Sequence, residues 1–331
     1  MKNIIIIPVI LILITSCFEE DSMVAPYPGD VVTIDQNISY YQSYFDLESS
    51  RVMQSNAIGE WDIGFGSHPG SWQLRINSGD ELFVFRSSLA DVESDYKLTG
   101  NELWRYDNSD GNPDSSAFGR WCDTTVYPYQ SAGTVFVAGK KTPEGYAAYA
   151  KVQLITCDSD RYVMRYQNTG DPEVHTAEVI KSDSVNFVYF DLNSGTEKYL
   201  EPAYKHYDLL FTPYYDLVYD IIEVPLPYLV RGVMLNSSHV SAALETSVGF
   251  DELTADQVDT SAFTRRQDFI GWDWKDVTIN FSAGTASYNV LTDRTYLVKS
   301  YEGRYYKLRF LSYTLNGLYG FPRFEYQELG F

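Results

Sequence analysis

Apolar and polar positions alternate most regularly in the last part of the chain, between residues 295 and 313. Tyr306, Leu308 and Phe310 fall on one face of this segment, and basic residues occupy the positions between them. A period of two is typical of a half-buried β-strand. Gly303 lies between two such runs, where a tight turn needs a residue that tolerates positive φ. The pattern therefore predicts an antiparallel hairpin.

The rest of the chain also favours strands over helices. A second hairpin is predicted at 134–156, with Pro143-Glu144-Gly145 as its turn. Further β runs extend from Val230 to Leu235 and from Phe187 to Leu192. The residues from Asp251 to Val258 are compatible with one short helix. Because longer helical periodicity is scarce, we predict an all-β fold with few short helices.

Several short motifs occur twice in the chain, in the same order. Tyr-Phe-Asp-Leu stands at 44–47 and again at 189–192. Trp-Asp-Ile-Gly-Phe at 61–65 has a counterpart in Tyr-Asp-Leu-Leu-Phe at 207–211. Weaker pairs follow: 114–118 with 259–263, 149–156 with 305–312, and 165–167 with 325–327. Such internal similarity indicates a duplicated structural unit.

We therefore predict two tandem, related β-sandwich-like modules of antiparallel strands. The first covers residues 30–172 and the second covers residues 173–331. The segment 168–172, Asn-Thr-Gly-Asp-Pro, is polar and rich in turn-forming residues, which is typical of a join.

The N-terminus has the features of an export signal. Lys2 precedes an apolar stretch from Ile4 to Ile14, which is too short to span a bilayer of ~30 Å. The stretch ends in Ile14-Thr15-Ser16-Cys17, which resembles a bacterial lipobox. We expect residues 1–16 to be removed and Cys17 to be acylated. The alternative is an ordinary signal peptide with a chance cysteine.

Residues 17–29 form an acidic tether in this interpretation. The run Phe18-Glu19-Glu20-Asp21-Ser22 resembles the surface-export signal of Bacteroidetes lipoproteins. It also fits a merely solvated tail. We expect a protein that is lipid-anchored in the outer membrane, and we favour the cell surface over the periplasmic leaflet.

Two cysteines remain besides Cys17. Cys122 and Cys157 would lie in an oxidising compartment, where a pair of cysteines forms one disulfide or stays as two buried thiols. The sequence leaves both possibilities open.

Composition excludes some partners. Lys and Arg total 25 against 45 Asp and Glu, which gives a net charge of −20. Nucleic-acid binding requires clustered cations, so we expect no nucleic-acid partner. Aromatic residues make up 16% of the chain, which agrees with β structure.

Catalytic and metal-binding motifs are missing from the sequence. The loop 66–70, Gly-Ser-His-Pro-Gly, does not have the Gly-x-Ser-x-Gly spacing of a nucleophile elbow. No His-x-x-x-His or Cys-x-x-Cys pair is present, so a preformed zinc site is not expected. We predict a protein that is not an enzyme.

The second half resembles the HmuY family of haem-binding lipoproteins of Bacteroidetes. The resemblance spans about 185–328 and is thinner in the first half, at 61–65 and 76–79. It is carried by the segments Val188–Leu192, Tyr207–Thr212, Tyr228–Asn236, Ile270–Lys275, Tyr296–Tyr313 and Gly320–Tyr326. The resemblance implies an all-β fold on a lipid tether, and haem as the bound group.

In this family, two His, or His and Met, clamp the haem iron, and both side chains are good axial ligands. The candidates here are His239 in Asn236-Ser237-Ser238-His239, Met234 on the preceding strand, and His68 in its Gly/Pro loop. Strand alternation would place Met234 in the core. No metal other than haem iron is expected.

Two functions remain open at this point. The first is capture of haem from the surroundings or from a haem protein, with transfer to an outer-membrane transporter. The second is a non-catalytic binding module for another ligand, a glycan or a protein, on the same scaffold. Exposed Tyr and Trp side chains would suit either of these alternative ligands.

Overall fold

The structure is a computed structural model, and it describes residues 30–219, 225–280 and 285–330. The predicted signal peptide at 1–16 and the tether at 17–29, with Cys17, lie outside the described residues. Within the described ranges, no helix has the length and apolarity needed to cross a membrane.

The described residues form mostly antiparallel strands joined by turns and single 3₁₀ turns. The strands of the first part of the chain are β1 Asp30–Thr33, β2 Tyr41–Asp46, β3 Arg51–Ala57, β4 Ile63–Gly66, β5 Leu74–Ile76, β6 Leu82–Arg86, β7 Cys122–Asp123, β8 Tyr129–Ser131, β9 Val135–Thr142, β10 Gly145–Cys157 and β11 Arg161–Asn168. Those of the second part are β12 His175–Ile180, β13 Phe187–Asp191, β14 Thr196–Lys198, β15 Leu209–Tyr219, β16 Pro225–Leu235, β17 Ser241–Glu245, β18 Lys275–Asn280, β19 Thr285–Val290, β20 Thr295–Lys299, β21 Tyr305–Leu315 and β22 Leu318–Leu329. The 3₁₀ turns are Ile58–Glu60, Ser78–Asp80, Pro113–Ser115, Tyr204–His206, Ala255–Gln257 and Thr260–Ala262.

Four of the sheets enclose two large apolar cores. The sheet β14-β13-β4-β5 faces the sheet built from β12, β11, β10, β9 and β6, to which β8 and β7 are added at the end of β10. The sheet β16-β15-β2-β3 faces the sheet β1-β22-β21-β20-β17. A fifth sheet contains only β18 and β19. The prediction of an all-β fold is confirmed.

Local predictions from the alternation pattern hold well. The hairpins predicted at 295–313 and 134–156 correspond to β20–β21 and β9–β10. Alternate side chains of a strand point to the same face of the sheet. Accordingly, the second core includes all three of Tyr306, Leu308 and Phe310. The helix considered from Asp251 to Val258 is absent, and only a single 3₁₀ turn, Ala255–Gln257, forms there.

The two halves of the chain exchange strands. The Tyr-Phe-Asp strand of the first half, β2, pairs with β15 of the second half. The corresponding strand of the second half, β13, pairs with β4 of the first. In addition, β12 follows the expected join yet pairs with β11, which precedes it. Each core therefore contains strands from both halves, and the division into two modules stays a prediction.

Candidate functional site

A tight turn directly after β16 holds the first candidate residue, His239. The side-chain Nδ2 of Asn236 donates to the carbonyl oxygens of Tyr204 at 2.6 Å and Tyr207 at 2.8 Å. Its Oδ1 accepts the backbone N–H of Ser238 at 2.8 Å. His239 is exposed and has a φ of 66°, a left-handed conformation that is uncommon for residues other than glycine. The turn thus holds an imidazole at the surface in a fixed and strained backbone geometry.

His68 reaches the same place from the first half of the chain. Its loop follows β4 and is fixed by Ser67, whose N–H donates to Asn186 at 2.8 Å and whose hydroxyl donates to Ser182 at 2.7 Å. The exposed His68 ring lies with its Nε2 3.5 Å from the hydroxyl oxygen of Ser238, the neighbour of His239. The fold therefore brings the two histidine candidates onto adjacent loops.

Two tyrosine rings connect the histidines. The ring centroids of His68 and Tyr204 are 5.6 Å apart, and those of Tyr204 and Tyr301 are 5.5 Å apart. Tyr301 in turn lies 5.6 Å from His239, edge to face. We call these four residues the histidine–tyrosine surface. It offers two imidazoles that can bind a metal ion and two partly exposed rings that can contact a flat ligand.

A buried polar network supports this surface from below. The carboxylate of Glu201 accepts hydrogen bonds from the backbone N–H groups of Asn186 and Phe187, both at 3.1 Å, and from the Tyr207 hydroxyl at 2.7 Å. Burial raises the pKa of Glu201. The amide of Asn186 also bonds to Asn236 at 2.9 Å. A buried network with its bonds satisfied keeps the loops above it in one arrangement.

The third candidate, Met234, lies elsewhere. Its side chain is half-buried on β16 and lines a cavity of about 80 Å³ together with Trp61, Arg75 and Tyr214. None of the residues lining that cavity belongs to the histidine–tyrosine surface. The expectation that strand alternation places Met234 in the core is wrong, because its neighbours Val233 and Leu235 face the second core and Met234 therefore lies on the opposite face of β16.

The other two histidines are also separate. His206 is exposed in the 3₁₀ turn Tyr204–His206, and among the described residues no ring contact joins it to the histidine–tyrosine surface. His175 bonds through Nε2 to Asp171 at 2.8 Å. Across the described ranges, no group of three or more His, Cys, Asp or Glu side chains is arranged to hold a metal ion.

Cys122 and Cys157 are both buried in the first core as free thiols. Burial raises the pKa of Cys122 to about 12, and it also raises the pKa of Cys157. A disulfide between them after oxidation stays a prediction.

An aromatic cavity was not anticipated from the sequence. It has a volume of about 390 Å³ and lies between the long β15–β16 hairpin and the β18–β19 hairpin. Its walls include Tyr228, Trp272, Tyr288 and Tyr313. These residues come from four separate segments: Tyr228 from β16, Trp272 from the loop before β18, Tyr288 from β19 and Tyr313 from β21. Only the tertiary fold reveals that they share a cavity.

Two basic residues, Arg231 and Lys275, also line the aromatic cavity. The ammonium of Lys275 donates to the carbonyl oxygens of Arg231 at 2.8 Å and Trp272 at 3.0 Å. It lies 4.7 Å from the ring centroid of Tyr313. Burial lowers the pKa of Lys275 to about 7, so a negative ligand group beside it would favour its charged form.

Comparison with known proteins agrees with the resemblance noted in the sequence. The family model described as HmuY protein matches residues 40–326, which includes both halves of the chain. No curated protein matches the chain. The match is thus broader than the second-half resemblance carried by the sequence motifs. This protein belongs to the HmuY family.

Proposed function

We propose that this protein is a haem-binding surface lipoprotein that captures haem outside the cell. Membership of the HmuY family supports a haem-binding type of surface protein. In this proposal the acylated Cys17 anchors the protein in the outer membrane, with its β domain exposed at the cell surface. The protein passes its haem to an outer-membrane transporter and catalyses no reaction.

One observation carries the proposal. His68 and His239 lie far apart in the sequence, yet both are exposed and both border Ser238 and the Tyr204–Tyr301 ring pair. Imidazole is a common axial ligand of haem iron. The donor chemistry fits haem, so His68 and His239 would hold the iron while Tyr204 and Tyr301 contact the porphyrin.

An absorbance titration with haem tests the proposal. We expect a saturable Soret band in the wild type, a shifted band and weaker binding in His68→Ala and His239→Ala, and no change in His175→Ala. His175 is a suitable control because it pairs with Asp171, outside the surface. Absence of saturable binding in the wild type would exclude haem as the ligand. Unchanged spectra in both variants would exclude these two residues.

The aromatic cavity supports a second candidate function, the binding of an acidic sugar. Sugars stack on aromatic rings, and Arg231 and Lys275 would meet a carboxylate. Calorimetric titration with glucuronate, with glucose as the neutral control, should show binding of the acid only.

Two exposed tyrosines on one hairpin provide a matched pair of variants for this test. Tyr228 lines the cavity and is 61% exposed, whereas Tyr219 does not line it and is 64% exposed. Tyr228→Ala should abolish glucuronate binding and Tyr219→Ala should preserve it. Equal effects of the two variants, or no heat with the wild type, would reject the acidic-sugar function.

A further inference from the structure

Asp208 connects three segments of the chain, two of which lead into the histidine–tyrosine surface. Its backbone N–H donates to Phe45 on β2 at 2.9 Å, and its carbonyl oxygen accepts the N–H of Asn236 at 2.8 Å. Its side-chain Oδ2 accepts the N–H of Leu47 at 3.0 Å. Asp208 is only 2% exposed, so these bonds lie away from solvent.

The other carboxylate oxygen of Asp208 bonds to a residue of the histidine–tyrosine surface. Oδ1 of Asp208 accepts the backbone N–H of Tyr301 at 2.9 Å. Tyr301 begins the turn between β20 and β21, and its ring is the one that contacts both Tyr204 and His239. One buried carboxylate therefore anchors the backbone from which this ring extends.

We infer that Asp208 is a positioning residue that holds Tyr301 against His239 and so shapes the ligand surface. This inference rests on the proposed haem function for the identity of the ligand. The hydrogen bond to Tyr301 is charge-assisted, and such bonds are stronger than those between neutral groups. The bond from Asn236 to the Asp208 carbonyl sets the beginning of the His239 turn, so both turns are fixed from the same residue.

Asp62 occupies the equivalent position in the first half and provides a matched control. Its N–H donates to Phe190 at 2.9 Å, its carbonyl accepts from Asn77 at 2.9 Å, and its Oδ2 accepts the N–H of Leu192 at 2.8 Å. Its further side-chain partner is the hydroxyl of Tyr149 at 3.3 Å, not a turn that carries a surface residue. The two aspartates share a structural role, and only Asp208 adds the link to Tyr301.

The experiment compares Asp208→Asn with Asp62→Asn in the full chain. An asparagine side chain keeps one acceptor oxygen and places an NH₂ group against one of the two N–H groups. We expect Asp208→Asn to weaken haem binding about tenfold, equivalent to about 1.4 kcal/mol, and to shift the Soret band. Asp62→Asn should retain the wild-type affinity and spectrum.

A second readout needs no haem. Hydrogen exchange of the Tyr301 amide in the apo protein should accelerate in Asp208→Asn and stay unchanged in Asp62→Asn. If the wild type binds no haem, the proposed function fails while this readout still decides whether Asp208 positions the turn.

Tyr301→Ala covers the case in which Asp208→Asn does not fold. It removes the ring but keeps the amide bond to Asp208, and Tyr301 lies on a partly exposed turn. This variant should weaken haem binding and shift the Soret band in the same direction. The inference would be overturned if Tyr301→Ala kept the wild-type haem affinity and spectrum. It would also be overturned if Asp208→Asn kept wild-type haem binding and showed unchanged hydrogen exchange at the Tyr301 amide.

Discussion

The hydroxyl oxygens of Tyr44 and Tyr189 lie 3.3 Å apart, and these two residues hold the same position in the two Tyr-Phe-Asp-Leu motifs. Their surroundings are reciprocal. Tyr189 contacts Trp61 with ring centroids 4.7 Å apart, and Tyr44 contacts Tyr207, the counterpart of Trp61, at 4.9 Å. Equivalent residues touch each other in this way only near a two-fold axis. The two halves are therefore related by an approximate two-fold axis that passes close to this tyrosine pair.

Loss of the Tyr44 hydroxyl should destabilise the fold. This hydroxyl contacts Tyr189 and accepts from Nε2 of the buried Gln42 at 3.0 Å. Tyr44→Phe leaves that donor without its partner, so we expect the free energy of unfolding to fall by about 1–3 kcal/mol. Urea unfolding measures the change. Tyr40→Phe, at a residue that is 66% exposed, should have almost no effect, and equal effects of the two substitutions would contradict the central role of the pair.

The two matched aspartates should make stability depend on pH. Burial raises the pKa of both Asp62 and Asp208 from 3.8 to about 6. Between pH 4 and 6 the native state then binds more protons at these groups than the unfolded state does. Their contribution to stability is present below about pH 4 and is lost as the pH rises through 6.

Comparison with Asp208→Asn isolates this effect, because the amide does not titrate. The free energy of unfolding of the wild type minus that of the variant should decrease as the pH rises from 4 to 6, by up to about 3 kcal/mol for a shift of about two pKa units. Urea unfolding at a series of pH values provides the measurement. A difference that is flat across this range would show that the carboxyl titrates normally.

The exchange of strands should prevent the second half from folding alone. Residues 173–331 lack β2, and the second core includes Phe45 and Leu47 from the β2 region. We expect this fragment to show no cooperative unfolding transition, and to gain one when residues 30–172 are supplied as a separate chain. Circular dichroism follows both. Cooperative folding of 173–331 by itself would instead support two independent modules.

The thiols of Cys122 and Cys157 offer a test of their oxidation state. Because both are buried, they should resist alkylation in the native protein and react once it is unfolded. Mass spectrometry of a Cys17→Ser variant should then count two labels. A count of zero without a reductant would show that the disulfide forms.

The lipid anchor is tested at the N-terminus. Cys17→Ala should release the protein from the membrane fraction or leave it unprocessed, because acylation requires the thiol. Fractionation that matches the wild type would rule out the proposed anchor. A variant with Cys122→Ala should remain in the membrane, since that thiol is buried in the fold.

Local features of this fold were predictable from the sequence, whereas its long-range pairings were not. Alternation in 295–313 identified a hairpin because strand period and turn residues are local signals. The repeated Tyr-Phe-Asp-Leu motif predicted a duplicated unit. The motif did not indicate that β2 pairs with β15, because similarity between two strands does not determine which strand each of them hydrogen-bonds to in a sheet.

The same distinction applies to the site. His68 and His239 were each noticed as loop residues, but their proximity depends on the exchanged strands and on the Ser238 contact. Tyr204 and Tyr301 carried no motif of their own. The aromatic cavity was missed for a related reason, since its walls are assembled from segments that are distant in the chain.

The pairing of β2 with β15 and of β13 with β4 has a consequence for the origin of the chain. A protein with a single copy of this unit could complete its sheet only by borrowing a strand from a second molecule, and would exist as an intertwined homodimer. Covalent fusion of two copies removes the dependence on concentration and frees the halves to diverge. Asn77 and Asn236 donate to the equivalent carbonyls of Asp62 and Asp208. Three residues after Asn77 the first half carries Asp80, paired with Lys140, whereas three residues after Asn236 the second half presents His239 to solvent.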